Sequence, residues 1–209
     1  MKSKIRKGCV LAAGMMVLAG CAGTSVKHEM GRSKVVETSA AAKPEWITNN
    51  KYEKDSVMYF SGFVTDVADS ALGMRQAKME AIKNIVEAVK SDASGAFKES
   101  LRGANKDVND LGSFVEDAFA LMSEAQISGI MPSQIYFEKS EVVTGGGVKY
   151  SYNCYSQVQL PIKDYERAQM LAFQSLEGKA KKENNKAAET AAQDQMEKLE
   201  AKLKSRANQ

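Results

Sequence analysis

Residues 133–160 hold two segments with alternating apolar and polar side chains, joined by three consecutive glycines. The segments run from Ser133 to Thr144 and from Val148 to Leu160, and residues 145–147 supply the backbone freedom of a tight turn. The face predicted to be buried carries Val148, Tyr150, Tyr152, Cys154, Ser156, Val158 and Leu160. This alternation predicts an antiparallel hairpin with one buried and one wet face.

A further strand is predicted over residues 57–65, which are rich in β-branched and aromatic side chains. Gly62 lies in the middle of this run, which indicates either a bulge or a close neighbour. Two amphipathic helices are predicted after it, over residues 71–101 and 107–128, because apolar side chains recur at intervals of three, four or seven. Asp69 or Ser70 can cap the first of them.

The segment after Pro161 is predicted to be helical, and its apolar surface extends to Leu176. Residues 179–209 are charged and alanine-rich and carry only a thin apolar stripe, so we expect an exposed helix that frays or one that pairs with a partner helix. The predicted fold class is therefore α+β: a small antiparallel sheet with two or three helices packed on one face, plus a long exposed C-terminal helix. We predict the folded domain over residues 44–178.

The chain begins with a basic and then apolar leader. Lys2, Lys4, Arg6 and Lys7 precede the apolar run 10–19, which is too short to span a bilayer. Leu18-Ala19-Gly20-Cys21 resembles the bacterial lipobox, which implies cleavage after Gly20, removal of residues 1–20 as a signal peptide, and lipid on Cys21. The alternative is an ordinary signal peptide that contains a cysteine by chance. Several acyl chains on one residue form a stable membrane anchor.

Residues 21–43 show no periodicity and are predicted to be a flexible, lipidated tether with a mean reach of about 25 Å. Ala22 follows the cysteine, and by resemblance to envelope sorting this favours the outer membrane, with the domain facing the periplasm or the cell surface. His28, the single histidine, lies in this tether with no second ligand near it, so we expect no metal or catalytic role for it.

Charge and cysteine content exclude several functions. Without residues 1–20 the chain has 25 basic and 26 acidic side chains, so the basic excess belongs to the leader and predicts no nucleic-acid binding. Cys154 is then the only cysteine besides Cys21, and one thiol forms no internal disulfide. We expect Cys154 to be a small buried hydrophobic residue, with a reactive thiol as the alternative.

No catalytic, cofactor-binding or metal-binding residues are predicted. The predicted domain lacks an imidazole base for a serine or cysteine nucleophile. Residues 145–147 lack the lysine and the strand-before-helix context of a phosphate-binding loop. We therefore expect no enzyme and no cofactor, and a hydrolase that uses an inconspicuous carboxylate pair stays as the alternative.

Pro44-Glu45-Trp46 stands before the first predicted strand, and Ala71, Ala77, Ala81 and Ala88 are spaced along the helix after it. In this order of elements the chain resembles the LPP-twenty lipoprotein family over roughly residues 43–176. The resemblance implies a small α+β domain displayed on the outer membrane and, in flagellar members, a role in building the basal structure. The charged tail after Gly178 departs from the family pattern.

Two non-catalytic functions compete. One is a structural or assembly role in the envelope, through self-association or other envelope proteins, for which Tyr155 on the outer hairpin face is a candidate contact residue. The other is a partner- or ligand-binding regulator of an envelope enzyme, such as a cell-wall synthase.

The lipobox generates a direct prediction. The variant Cys21→Ser should not accept lipid. The membrane fraction should therefore contain no protein of the mature size. Cys9→Ser, which changes a cysteine of the leader, should fractionate and migrate like the natural chain. Recovery of the Cys21→Ser protein in membranes at the mature size would show that another group anchors the chain.

Overall fold

A computed structural model describes residues 30–103 and 111–208. In these ranges five strands form one antiparallel sheet in the order β1-β4-β5-β3-β2. The strands are β1 (Ser33–Thr38), β2 (Lys51–Lys54), β3 (Val57–Val67), β4 (Met131–Thr144) and β5 (Gly147–Pro161). The helices are α1 (Ser70–Gly103), α2 (Leu111–Phe119), α3 (Ile162–Lys182) and α4 (Lys186–Ala207), with 3₁₀ turns at Glu45–Thr48 and Glu124–Gln126. The predicted α+β class is confirmed.

The predicted hairpin is the centre of the sheet. β4 and β5 pair from Thr144 opposite Gly147 down to Met131 opposite Gln159, and Gly147 has the positive φ of +117° that the turn requires. β3 then pairs with the other side of β5. With β1 beside β4, the hairpin has a hydrogen-bonded neighbour on each side, so neither of its two strands is an edge strand of the sheet.

α1 packs across the inner face of the sheet. Its start is capped as predicted, because the Leu72 N–H donates to Asp69 Oδ1 at 2.7 Å. The main core lies where α1 and α3 meet the sheet. It includes Met58, Phe60, Ala81, Ile85, Val158, Leu160, Tyr165 and Phe173.

The prediction that residues 21–43 form a flexible tether is wrong for residues 33–38, which form strand β1. Residues 33–38 pair with β4, and residues 39–50, the crossing segment, then pass from β4 to β2 over the outer face of the sheet. Val35, Val36 and Thr38 are β-branched and favour the strand, but six residues at a sheet edge carry too short a pattern to recognise without β4 beside them. Residues 22–29, including His28, lie outside the described residues.

The predicted second helix over 107–128 is shorter in the structure. α2 ends at Phe119, and the chain turns so that the Met122 N–H donates to the Phe119 carbonyl at 3.0 Å. The 3₁₀ turn that follows begins at Ser123 with a reciprocal capping box to Gln126. The capped 3₁₀ turn interrupts the predicted helix, although the apolar spacing in the sequence continues through it. Residues 104–110 lie outside the described residues.

The C-terminal helix is confirmed, but the domain does not stop at residue 178. α3 continues through Gly178 to Lys182, and α4 folds back on it, with Asn185 Oδ1 accepting from the Ala188 N–H at 3.1 Å. Ala188, Ala191 and Ala192 are buried, because methyl side chains let two helices approach closely. The alanine stripe thus binds within the chain, and only the later part of α4 is mainly exposed.

The two faces of β5 also differ from the prediction. Gln157, predicted on the wet face, is fully buried, while Val148 and Tyr150, predicted to be buried, are 50% and 51% exposed. The crossing segment covers the outer face near Gln157, and no described helix covers the turn end of the hairpin. Alternation identifies the two faces of a strand, but packing partners decide which stretch of each face is buried.

Gly62 in β3 has the close neighbour that its position indicated. A Cβ atom at Gly62 would overlap the backbone of Ala77 and Ala81 in α1, and backbone atoms cannot move aside as a side-chain end can. We expect Gly62→Ala to lower the free energy of unfolding by about 3 kcal/mol, measured by urea denaturation.

Gly95→Ala is the matched control, because nothing lies within 4 Å of a Cβ at that helical position. This change should stabilise the protein by about 0.5–1 kcal/mol. Equal stability of the two variants would contradict the close packing of β3 on α1.

Candidate functional surface

The turn end of the sheet carries half-exposed apolar side chains and lies where the N-terminal part of the described chain enters the fold. We call it the hairpin end and define it as residues 31–37 and 139–151. α1 begins beside Cys154, whose Sγ lies 3.7 Å from the Ser70 carbonyl oxygen, and β4 and β5 continue past this point to the turn. The half-exposed apolar side chains are Val35, Val36, Val148 and Tyr150.

The N-terminal side of the chain enters the fold at this hairpin end. The Gly31 N–H donates to the Val143 carbonyl at 2.9 Å, and Ser33 lies opposite Val142. β1 therefore starts at the turn and runs toward the body of the domain. Any group attached to the chain shortly before Gly31 is consequently held near the turn.

Lys139 ties β1 to the hairpin. Its Nζ lies 3.5 Å from Glu37 Oε2 and 4.9 Å from the centre of the Tyr150 ring. The electrostatic interaction with the Tyr152 side chain, more than that with Glu37, raises the pKa of the Lys139 amine. The attraction between this cation and the aromatic face holds the side chains of Lys139 and Tyr150 against each other at the hairpin end.

On the outer face of the sheet, a row of three aromatic rings meets the crossing segment at Tyr155. Tyr155 lies between Phe63 and Tyr136, with ring centroids 6.2 and 5.8 Å away. Lys43 Nζ lies 4.9 Å from the centre of the Tyr155 ring and 3.2 Å from Glu138 Oε1. Tyr155, predicted as an exposed contact residue, is thus half-buried under this lysine, and its ring stabilises the crossing segment.

A second polar cluster joins β2, α1 and α3. The Tyr165 hydroxyl donates to Asp92 Oδ2 at 2.7 Å, and Lys51 Nζ donates to the same oxygen at 2.8 Å. Burial, followed by the hydrogen bond to Asp92, raises the pKa of Tyr165 well above its ordinary value. The phenol therefore keeps its proton at neutral pH and serves as a donor that holds three elements together, not as a base.

A buried carboxylate holds the end of α4. Glu166 of α3 is 1% exposed, and its Oε1 lies 2.8 Å from Lys202 Nζ and 3.3 Å from Arg206 Nε of α4. A buried carboxylate is costly unless cations compensate it. Nothing in the sequence pattern predicts this pair, because Glu166 stands in the first turns of α3 and its partners lie 36 and 40 residues later.

Cys154 is buried as predicted, and burial, with a smaller contribution from Asp69, raises the pKa of its thiol. A protonated, buried thiol is a poor nucleophile. Cys21, the predicted lipidation site, lies outside the described residues. Within residues 30–103 and 111–208 no three His, Cys, Asp or Glu side chains converge as metal ligands, and no helix there combines the length and apolarity needed to cross a membrane.

Comparison with protein-family models, with curated proteins and with solved structures gives no match for this chain.

The Glu166 cluster generates a stability prediction. The double variant Lys202→Met with Arg206→Met leaves the buried carboxylate without its cations. This change should lower the free energy of unfolding by about 3 kcal/mol, the lower end of the usual range, because Lys202 itself is half exposed. The expected result is faster cleavage near Leu199 and Leu203 by a protease that cuts at apolar residues.

Adding Glu166→Met to the same protein removes the buried charge and should restore most of the resistance to cleavage, since apolar replacements of buried ion pairs are often neutral. A triple variant that is cleaved as fast as the double variant would show that packing alone holds α4.

Proposed function

We propose that this chain is a bacterial lipoprotein, anchored in the outer membrane by lipid on Cys21, whose domain has a non-catalytic role in envelope assembly. One observation carries the proposal: the lipobox stands only ten residues before Gly31, where the chain joins an exposed edge strand of the sheet. An anchor followed so closely by an open edge suits a protein that works by contact at a membrane surface.

β1 supports contact with another protein chain. All six of its residues are exposed, and Val35 and Val36 are 47% and 42% exposed. An edge strand presents backbone donors and acceptors that can pair with a further strand. Confinement to a membrane raises the effective concentration of such edges without adding any contact.

The polar clusters also favour a non-catalytic role. Lys43 with Tyr155 and Glu138, Asp92 with Tyr165 and Lys51, and Glu166 with Lys202 and Arg206 each join separate elements of the fold. The phenol with the most strongly raised pKa is one of these structural donors. In an enzyme we would expect perturbed groups to face an open cleft instead.

The resemblance to the LPP-twenty family makes the flagellar base one place for such assembly. A regulatory role toward an envelope enzyme is the second candidate, favoured by an open cleft of about 360 Å³ between α1 and α2. Val115 and Phe119 line its apolar side and Lys90 and Glu87 its charged side, a combination that suits a short protein segment.

Assembly through β1 is testable on the mature protein in cells. Crosslinking followed by extraction in mild detergent should recover complexes larger than one chain, and Val35→Lys should reduce them, because a charge on an edge strand opposes pairing. Leu121→Lys is the control, since Leu121 is 91% exposed in the α2–β4 connection, away from β1.

A strictly monomeric protein with no crosslinked neighbour would contradict the assembly role. Complexes that persist in Val35→Lys but disappear in Glu87→Lys, which changes an exposed residue of the cleft, would favour the cleft and with it the regulatory role.

A further inference from the structure

We propose that the hairpin end is a membrane-docking surface, which rests on the phospholipid layer that holds the Cys21 lipid and stands the sheet upright on it. This inference depends on the lipid anchor of the proposed function and adds the orientation of the domain. The shortness of the connecting chain is the first argument. Ten residues link Cys21 to Gly31, so even a fully extended chain spans no more than about 35 Å.

Within that radius the turn of the hairpin is the end of the domain nearest to the attachment point. The Gly31 N–H is hydrogen-bonded to the Val143 carbonyl, and the next residue, Thr144, pairs with Gly147 across the turn. The opposite end of β5, at Pro161, lies fourteen residues along the strand from Gly147, or about 46 Å away at the usual rise per residue. The anchor therefore brings the turn to the lipid headgroups more readily than the other end.

The side chains of the hairpin end suit a headgroup layer. Val148 and Tyr150 expose half of their surface, and tyrosine is enriched where membrane meets water because one end of it is apolar and the other polar. The basic side chains of this end are Arg32, Lys34, Lys139 and Lys149, against the acidic Glu37 and Glu141. The mature chain as a whole has one more acid than base, so the positive excess is local.

Anionic phospholipid is the occupant that this surface fits. Each lysine or arginine near an anionic lipid surface contributes about 1 kcal/mol of attraction. A second copy of the chain is a poorer fit for the turn, because three strands at the normal spacing make a ribbon only about 10–15 Å wide. A stable protein interface needs about 800 Å² on each partner. The edge of β1 runs along the side of this ribbon and stays available for the assembly proposed above.

The orientation has a structural consequence for function. With the turn on the membrane, the connection at Pro161 and the start of α3 point away from it. Partners in the aqueous compartment would then meet the helical end of the domain, and neighbours in the same membrane would meet β1.

The test uses the mature, lipidated protein in vesicles that contain anionic phospholipid and a headgroup-level nitroxide quencher. A fluorophore is attached in Gly146→Cys at the turn or in Lys163→Cys at the start of α3. Gly146 tolerates the change because only Thr144 Oγ1, at 4.0 Å, approaches a Cβ there. Cys154 is buried and Cys21 carries the lipid, so the new cysteine is the accessible thiol.

Flotation with the vesicles comes first and reports the anchor. Protein that fails to float overturns both the lipid anchor and this orientation. For protein that floats, we expect strong quenching of the Gly146 label and weak quenching of the Lys163 label. Equal quenching of the two labels would overturn the docking while leaving the anchor in place. Quenching of the Gly146 label that comes only from contact between two labelled chains would have the same meaning.

Variants separate docking from anchoring. Lys149→Gln should lower the docked-to-undocked ratio reported by the Gly146 label about fivefold, the factor that one cation near an anionic surface supplies. Tyr150→Ser should act in the same direction, and flotation should not change in either case. Lys198→Gln on α4 is the matched control. If all three variants give the same quenching, the side chains of the hairpin end do not contact lipid.

Discussion

The contact between β3 and α1 at Gly62 is the constraint on which the rest of the fold depends. Because Gly62 has no side chain, the backbone of α1 at Ala77 and Ala81 approaches the strand directly, and Asn84 Nδ2 donates to the Ser61 carbonyl at 2.9 Å beside it. This close approach directs α1 across β3 and β5. The later part of α1 is then available to α2, α3 and α4, and Phe97 stacks on Phe114 with centroids 5.9 Å apart.

The apolar surface on the outer face of the sheet is covered by a different kind of element. None of the four described α-helices packs there. The crossing segment lies on it instead, with Trp46 7% exposed and its carbonyl accepting from Ser61 Oγ at 3.3 Å. Residues 33–50 thus belong to the fold, and the lipid anchor that we propose on Cys21 would join the chain close to the sheet. In the orientation that we propose, the strand that completes the sheet, β1, is also the strand that connects the domain to its anchor.

Several features could be predicted because their causes are local in sequence. Alternation and residues 145–147 specified the hairpin, apolar spacing specified α1, and Asp69 specified its cap. The candidate surface was harder to predict. Val148 and Tyr150 follow the buried alternation of β5, and their exposure depends on where α1 begins, which is a property of another element. The role of Glu166 depends on Lys202 and Arg206, far along the chain.

By itself, the sequence determined the leader and lipobox expectation, the α+β class, the central hairpin and the positions of the long helices. All of these follow from the order of neighbouring residues. Only the tertiary structure decided that residues 33–38 complete the sheet, that α4 folds back on α3, and that the turn of the hairpin stays uncovered. The physical reason is that short strands and alanine-rich helices bury too little apolar surface alone, so their positions depend on the surfaces that other elements present.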